Sequence, residues 1–138
     1  MDRRALLKLG LVGAAAASLP KTASASKMSM DSMAGGVYYT KESPGRWGKK
    51  IGGHMPSIQV MPGGKVNVVT GHAMKDYKHY IVKHMVLDKN YNFLAEKMFD
   101  PAKDNEAKST FELGGYKGEI HVLSVCNKHD TWVSSTTV

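Results

Sequence analysis

Seven side chains in this sequence have the types needed for metal or redox chemistry: His54, His72, His79, His84, His121, Cys126 and His129. Cys126-Asn127-Lys128-His129 puts a thiol at the end of a β-type run and an imidazole three residues on. Both can face one point across a tight turn, and closing so small a loop costs little chain entropy. A thiolate with neutral imidazoles is a recognised metal-ligand set. Cys-x-x-His alone is a weak motif, because a buried cysteine often serves as a small hydrophobe beside an unrelated histidine. Five further histidines in so short a chain strengthen the metal reading. One soft thiolate with several imidazoles suits iron or copper, and zinc is compatible with it. A blue-copper site takes a weak axial Met shortly after its His. The chain after His129 reads Asp130-Thr131-Trp132-Val133-Ser134-Ser135-Thr136-Thr137-Val138, without Met, which demotes copper.

These ligands must be positioned by a single small domain. A chain of 138 residues, 42% hydrophobic, buries one core and is too short for two ordinary domains. Residues 1–25 do not read as part of it. Arg3-Arg4 precede the apolar run from Ala5 to Ala17, and Ala23-Ser24-Ala25 has the small-x-small pattern of a signal-peptidase site. The run is interrupted by Lys8 and is shorter than the ~20 apolar residues of a membrane span. A twin-arginine-type signal peptide is expected, with a periplasmic mature protein. Without residues 1–25 the formal charge falls from +7 to +4. The remaining charge is scattered, which argues against nucleic-acid binding, although a basic face could still steer a small anion. A lone cysteine in an oxidising compartment cannot form an internal disulfide, so Cys126 is free, paired with another chain, or metal-bound.

Residues 26–46 are read as a flexible Met/Ser/Gly-rich tether. Met28, Met30 and Met33 are soft ligands, but their alternation with serine is equally that of a solvated linker. Residues 47–138 are read as the folded domain. Its runs rich in Val, Ile, Tyr, Phe and Thr span 57–60, 65–70, 77–87, 92–99, 109–113, 119–126 and 131–137. Breaks such as Pro62-Gly63-Gly64, Asp88-Lys89-Asn90, Asp100-Pro101 and Gly114-Gly115 separate them. No segment keeps a helical apolar period, and there is no internal repeat. The expected fold is all-β: an immunoglobulin-like antiparallel β-sandwich of about seven strands, whose end loops can converge on a site.

His54-Met55-Pro56, His72-Ala73-Met74, His79-Tyr80-Ile81 and Cys126-Asn127-Lys128-His129 together resemble, in order and neighbouring residues, the iron-ligand motifs of the superoxide reductases, the neelaredoxin and desulfoferrodoxin family. The resemblance covers about residues 47–133. It implies one mononuclear non-haem iron with His54, His72, His79 and His129 as equatorial imidazoles and Cys126 as axial thiolate. The sixth position would be open to superoxide. It also implies an immunoglobulin-like sandwich, in agreement with the strand reading. The implied activity is one-electron reduction of superoxide to hydrogen peroxide, with re-reduction by an external donor protein. The four-cysteine iron domain that desulfoferrodoxins add is excluded by the single cysteine. A homo-oligomer is left open.

The sequence departs from that family in two places. A Glu-Lys pair commonly precedes the first histidine, whereas Gly52-Gly53 stand here. Lys49 and Lys50, just upstream on a Gly-rich segment, are the candidates for steering superoxide. Second, His72 and His79 are seven positions apart where six is usual. His84 competes with His79, but on a continuous strand its odd spacing puts it on the opposite face, and the same parity separates His121 from Cys126. A non-catalytic iron or copper electron-transfer module on the same fold is the alternative reading.

Overall fold

Alternating burial builds the strands. In Lys65–Thr70, Val66, Val68 and Thr70 point inward; in Ala107–Glu112, Ala107, Ser109 and Phe111 do so while Lys108, Thr110 and Glu112 face water. The computed structural model describes residues 33–138, and Ala34–Val138 form one compact unit. The signal expected over 1–25 and the first part of the tether, 26–32, lie outside the described residues.

Seven strands follow a 3-10 turn (Gly45–Trp47) and a short α-helical turn, α1 (Ile51–His54): β1 Ser57–Met61, β2 Lys65–Thr70, β3 Ile81–Asp88, β4 Phe93–Met98, β5 Ala107–Glu112, β6 Glu119–Cys126 and β7 Asp130–Thr137. They make a three-stranded sheet ordered β1-β2-β5 and a four-stranded sheet ordered β4-β3-β6-β7, with every paired neighbour antiparallel. The expected all-β sandwich of seven strands is what forms. The β1–β2 hairpin needs its glycines, since Gly63 and Gly64 sit at φ 79° and 74°. A Cβ on Gly64 would also lie 2.6 Å from the Gly114 carbonyl oxygen. Among the described residues, no helix is long and apolar enough to cross a membrane.

Two apolar clusters fill the interior. Val66, Val68 and Phe111 from one sheet meet Val86, Ile120 and Val122 from the other. Towards the end where β2 and β6 finish, Met74, Ile81, Phe99, Ala107 and Cys126 form a second cluster.

Two expectations change. The strand expected from Tyr77 begins only at Ile81, so Tyr77–Tyr80 form a loop leading into β3. The tether expected over 26–46 is too long. Tyr39, 3% exposed, packs on Trp132 with ring centroids 5.5 Å apart, and it extends the edge of β7 through Tyr39 N–H to Thr131 O (2.9 Å) and Val133 N–H to Tyr39 O (2.8 Å). An aromatic side chain and two ladder bonds anchor this arm, a signal hidden among its serines and glycines.

Candidate metal centre

Each histidine or cysteine of the site sits at the end of an element or in the loop beside one. His54 closes α1, His72 follows β2, His79 lies in the loop before β3, Cys126 ends β6, and His129 occupies the turn into β7. The donor atoms of His54, His72, His79 and Cys126 all lie within 4.8 Å of one another. His129 Nδ1 joins them, 3.0 Å from His79 Nε2 and 3.7 Å from Cys126 Sγ. His72 Nε2 is 3.0 Å from His79 Nε2.

Backbone carbonyls set which ring nitrogen faces inward. A carbonyl only accepts, so His54 donates its Nδ1–H to Lys50 O (2.8 Å) and His72 donates its Nδ1–H to Ala73 O (2.7 Å). Each therefore presents a bare Nε2 to the centre, the second-shell arrangement common to metal-bound imidazoles. His54 is 4% exposed, and its Nε2 is buried without a hydrogen-bond partner. Leaving such an atom unsatisfied is costly, and a cation at the centre would satisfy it. His79 Nε2 faces both His72 Nε2 and His129 Nδ1, and a single ring proton cannot bridge both contacts. A metal ion could replace both. The donor set fits a single ion held by the His54, His72 and His79 imidazoles and the Cys126 sulfur, with His129 Nδ1 beside two of them.

The electrostatics favour the neutral, metal-binding form of His54, His79 and His129. Burial pushes His54 down to about 4, against the opposing pull of the Lys50 carbonyl and with further lowering by His72, His129 and His79. His79 is lowered by burial, then by His72, His129, Lys128 and Lys50. His129 is lowered by burial, then by Lys50, His72 and Lys128, with Asp130 opposing.

The turn from Cys126 to Asp130 also organises its surroundings. The Asn127 side chain donates Nδ2–H to Tyr77 O (3.2 Å) and Lys78 O (3.0 Å) and accepts from Tyr80 N–H (3.0 Å). It therefore holds the His79 loop on both sides of His79. Trp132 Nε1–H donates to His129 O (2.8 Å). The Trp47 ring meets His129 edge-on at 4.7 Å, and its Nε1–H donates to Asp130 Oδ2 (2.9 Å), which also takes Arg46 (2.8 Å). Asp130 has φ 65°, a left-handed turn that suits a short polar side chain.

Lys49 and Lys50 are both exposed, and the charge of Lys50 acts on His79 and His129. Lys128, inside the Cys-x-x-His motif, acts on the same two rings and was not singled out by sequence reasoning. Nor were Trp47, Asn127 and Asp130, whose roles depend on what the fold brings beside them. His84 lies fully buried inside the sandwich, away from the centre. The reason differs from the strand-parity argument, because His79 is in a loop rather than on β3. His121 faces the outer side of β6, where its Nδ1 is 2.7 Å from Ser135 Oγ and Tyr91 stacks on its ring at 4.6 Å.

This sandwich, with its site at one end, is the fold of the superoxide reductases. Among solved structures, the chain superposes on the superoxide reductase (neelaredoxin) of Ignicoccus hospitalis with TM-score 0.58 at 20% identity, covering 75% of this chain and 95% of that one. The superoxide reductase (1Fe-SOR) of Giardia intestinalis gives 0.53 at 21% identity over 62% and 97%. That of Nanoarchaeum equitans gives 0.51 at 19% over 62% and 93%. No family model and no curated protein matches the sequence.

Proposed function

We propose that this chain is a periplasmic superoxide reductase, exported by a twin-arginine-type signal. The observation that carries the reading is the clustering of His54, His72 and His79 nitrogens with Cys126 Sγ, with His129 Nδ1 beside His79 and Cys126 and a buried unpartnered nitrogen on His54. The fold shared with solved superoxide reductases and the order of the ligand motifs support it. An iron ion held by these residues would supply the one electron that, with two protons, turns superoxide into hydrogen peroxide, and an external donor protein would restore it.

The chain's own residues prepare that chemistry. Four neutral imidazoles and a thiolate leave a ferrous centre with modest positive charge, attractive to an anion. Cys126, 3% exposed, holds its sulfur away from water. Lys50 and Lys128 make the approach positive, and the exposed Lys49 is adjacent to Lys50 in the chain. Gly52, where the family commonly has Glu, has nothing within 4 Å of a built Cβ and offers no side chain to the site. That favours a second reading, a non-catalytic iron or copper electron-transfer module.

Loading with ferrous iron, oxidation and visible spectroscopy test the centre. A thiolate-to-ferric band that disappears in Cys126→Ala is expected, and its absence from the unaltered protein ends the superoxide reductase reading and the iron form of the second. Rapid mixing of the reduced protein with superoxide separates them: peroxide formed no faster than with free ferrous iron leaves only the electron-transfer module.

A further inference from the structure

Between the two apolar clusters lies a polar layer that the metal site does not use. Thr70 on β2 and Ser109 on β5 come from the three-stranded sheet; His84 on β3 and Ser124 on β6 come from the four-stranded one. His84 and Ser124 are 0% exposed, Thr70 2% and Ser109 3%. His84 Nε2 is 2.8 Å from Thr70 Oγ1, His84 Nδ1 is 2.8 Å from Ser109 Oγ, and Thr70 Oγ1 is 2.8 Å from Ser124 Oγ. All three links cross between the sheets. A neutral imidazole has one donor and one acceptor nitrogen, and each hydroxyl has one proton, so the chain runs in a single direction with one proton per link. Phe99 meets the His84 ring edge-on at 4.9 Å and belongs to the same cluster as Cys126.

The layer's placement gives it a purpose beyond filling space. Thr70 is two residues before His72, and Ser124 is two residues before Cys126. On β6, two residues span about 6.6 Å and return to the same face; past the end of β2 the chain turns tightly, with His72 N–H donating to Thr70 O (2.8 Å). An apolar filling would bury these positions at similar or better stability, since buried polar groups are often replaced by well-packed apolar ones without loss. Hydrogen bonds add direction, and a fully satisfied network selects one arrangement of the elements it joins. We infer that the Thr70–His84–Ser109–Ser124 layer is a positioning device for the metal centre, fixing the end of β2, and so His72, against the end of β6, and so Cys126. This rests on the metal-centre part of the reading above and not on the superoxide chemistry.

Cobalt(II) titration of the metal-free protein tests it, with the thiolate-to-cobalt band and the melting temperature of the metal-free form read together. His84→Leu is expected to melt within a few degrees of the unaltered protein, bind cobalt about tenfold more weakly, as loss of outer-shell support commonly does, and show a shifted thiolate band. His84→Gln, whose amide can donate and accept across the gap, is expected to regain most of the affinity, and Ser124→Ala to give a smaller change in the same direction. Unchanged affinity and band in folded His84→Leu overturns the inference. So does affinity that merely follows melting temperature across the three variants. If His84→Leu does not fold, Ser124→Ala decides alone, with unchanged affinity and band overturning the inference. A wild-type protein with no thiolate–cobalt band that Cys126→Ala removes overturns the metal centre itself, and this inference with it.

Discussion

Lys50 acts on the site through two different atoms. Its carbonyl orients His54, and its ammonium lowers His79 and His129. Substitution keeps the first role, which belongs to the backbone, and removes the second. Lys50→Ala is therefore expected to retain iron but to react more slowly with superoxide, and chiefly at low salt, because the Debye length shrinks to ~10 Å at 0.1 M. Stopped-flow rates at two ionic strengths check this, and a salt-independent rate in Lys50→Ala equal to that of the unaltered protein would rule steering out. The histidines divide in the same residue-by-residue way. His54→Ala, His72→Ala and His79→Ala are each expected to lower iron retention tenfold or more. His121→Ala, whose ring stacks on Tyr91 at the outer face of β6, is expected to retain iron near normally. Iron content after desalting separates the two groups, and equal loss in all four would sink the ligand assignment.

At the scale of elements, the loop 71–80 carries two site histidines without strand pairing of its own over 77–80. Asn127 supplies what a neighbouring strand would, bonding Tyr77 O, Lys78 O and Tyr80 N–H from across the turn. Asn127→Ala removes all three bonds and leaves two carbonyls to water, so His79 loses its fixed aim. The expected result is weaker metal binding by about tenfold with little change in melting of the metal-free protein, checked by metal titration and thermal unfolding. This element also shows where sequence reading stops. Period-two burial and Gly/Pro turns made the seven strands legible, as in β2 and β5, because a strand's face is written in its own residues. Tyr77–Tyr80 has strand-forming residues too, and what ends the ladder there is a side chain 47 residues from Tyr80. The arm at Tyr39 escaped for a similar reason. Its anchor is Trp132, distant in sequence and adjacent in space. The site residues were legible because their identities alone restrict the chemistry; the residues that hold them, Trp47, Asn127 and Asp130, have common types whose meaning comes only from packing.

Over the described residues, the larger apolar cluster stands apart from the site, while Cys126 belongs to the second. The first cluster, Val66, Val68, Val86, Phe111, Ile120 and Val122, contains no site residue. Each such side chain contributes roughly 1.5–3 kcal/mol on burial, a stabilisation that does not come from the metal site. The sandwich's acid sensitivity in the metal-free form should come from imidazoles buried neutral. Burial, with a smaller contribution from Lys97, pushes His84 from 6.5 down to about 4. Above pH 6.5 neither the folded nor the unfolded chain protonates this ring, and the stability tied to its neutral form is fully present. As pH falls from 6.5 towards 4, the unfolded chain takes up a proton that the folded chain refuses, and stability is lost, on the order of 3 kcal/mol for a shift of this size. His54, also lowered to about 4 by burial, adds to the loss in the same direction. His84→Leu removes one of these proton uptakes, so its metal-free stability should fall less steeply across that window while matching the unaltered protein at pH 7.5. Urea unfolding at pH 7.5, 6 and 4.5 measures the two slopes, and parallel slopes would mean that His84 is not the neutral, sheet-bridging imidazole that its bonds to Thr70 and Ser109 describe.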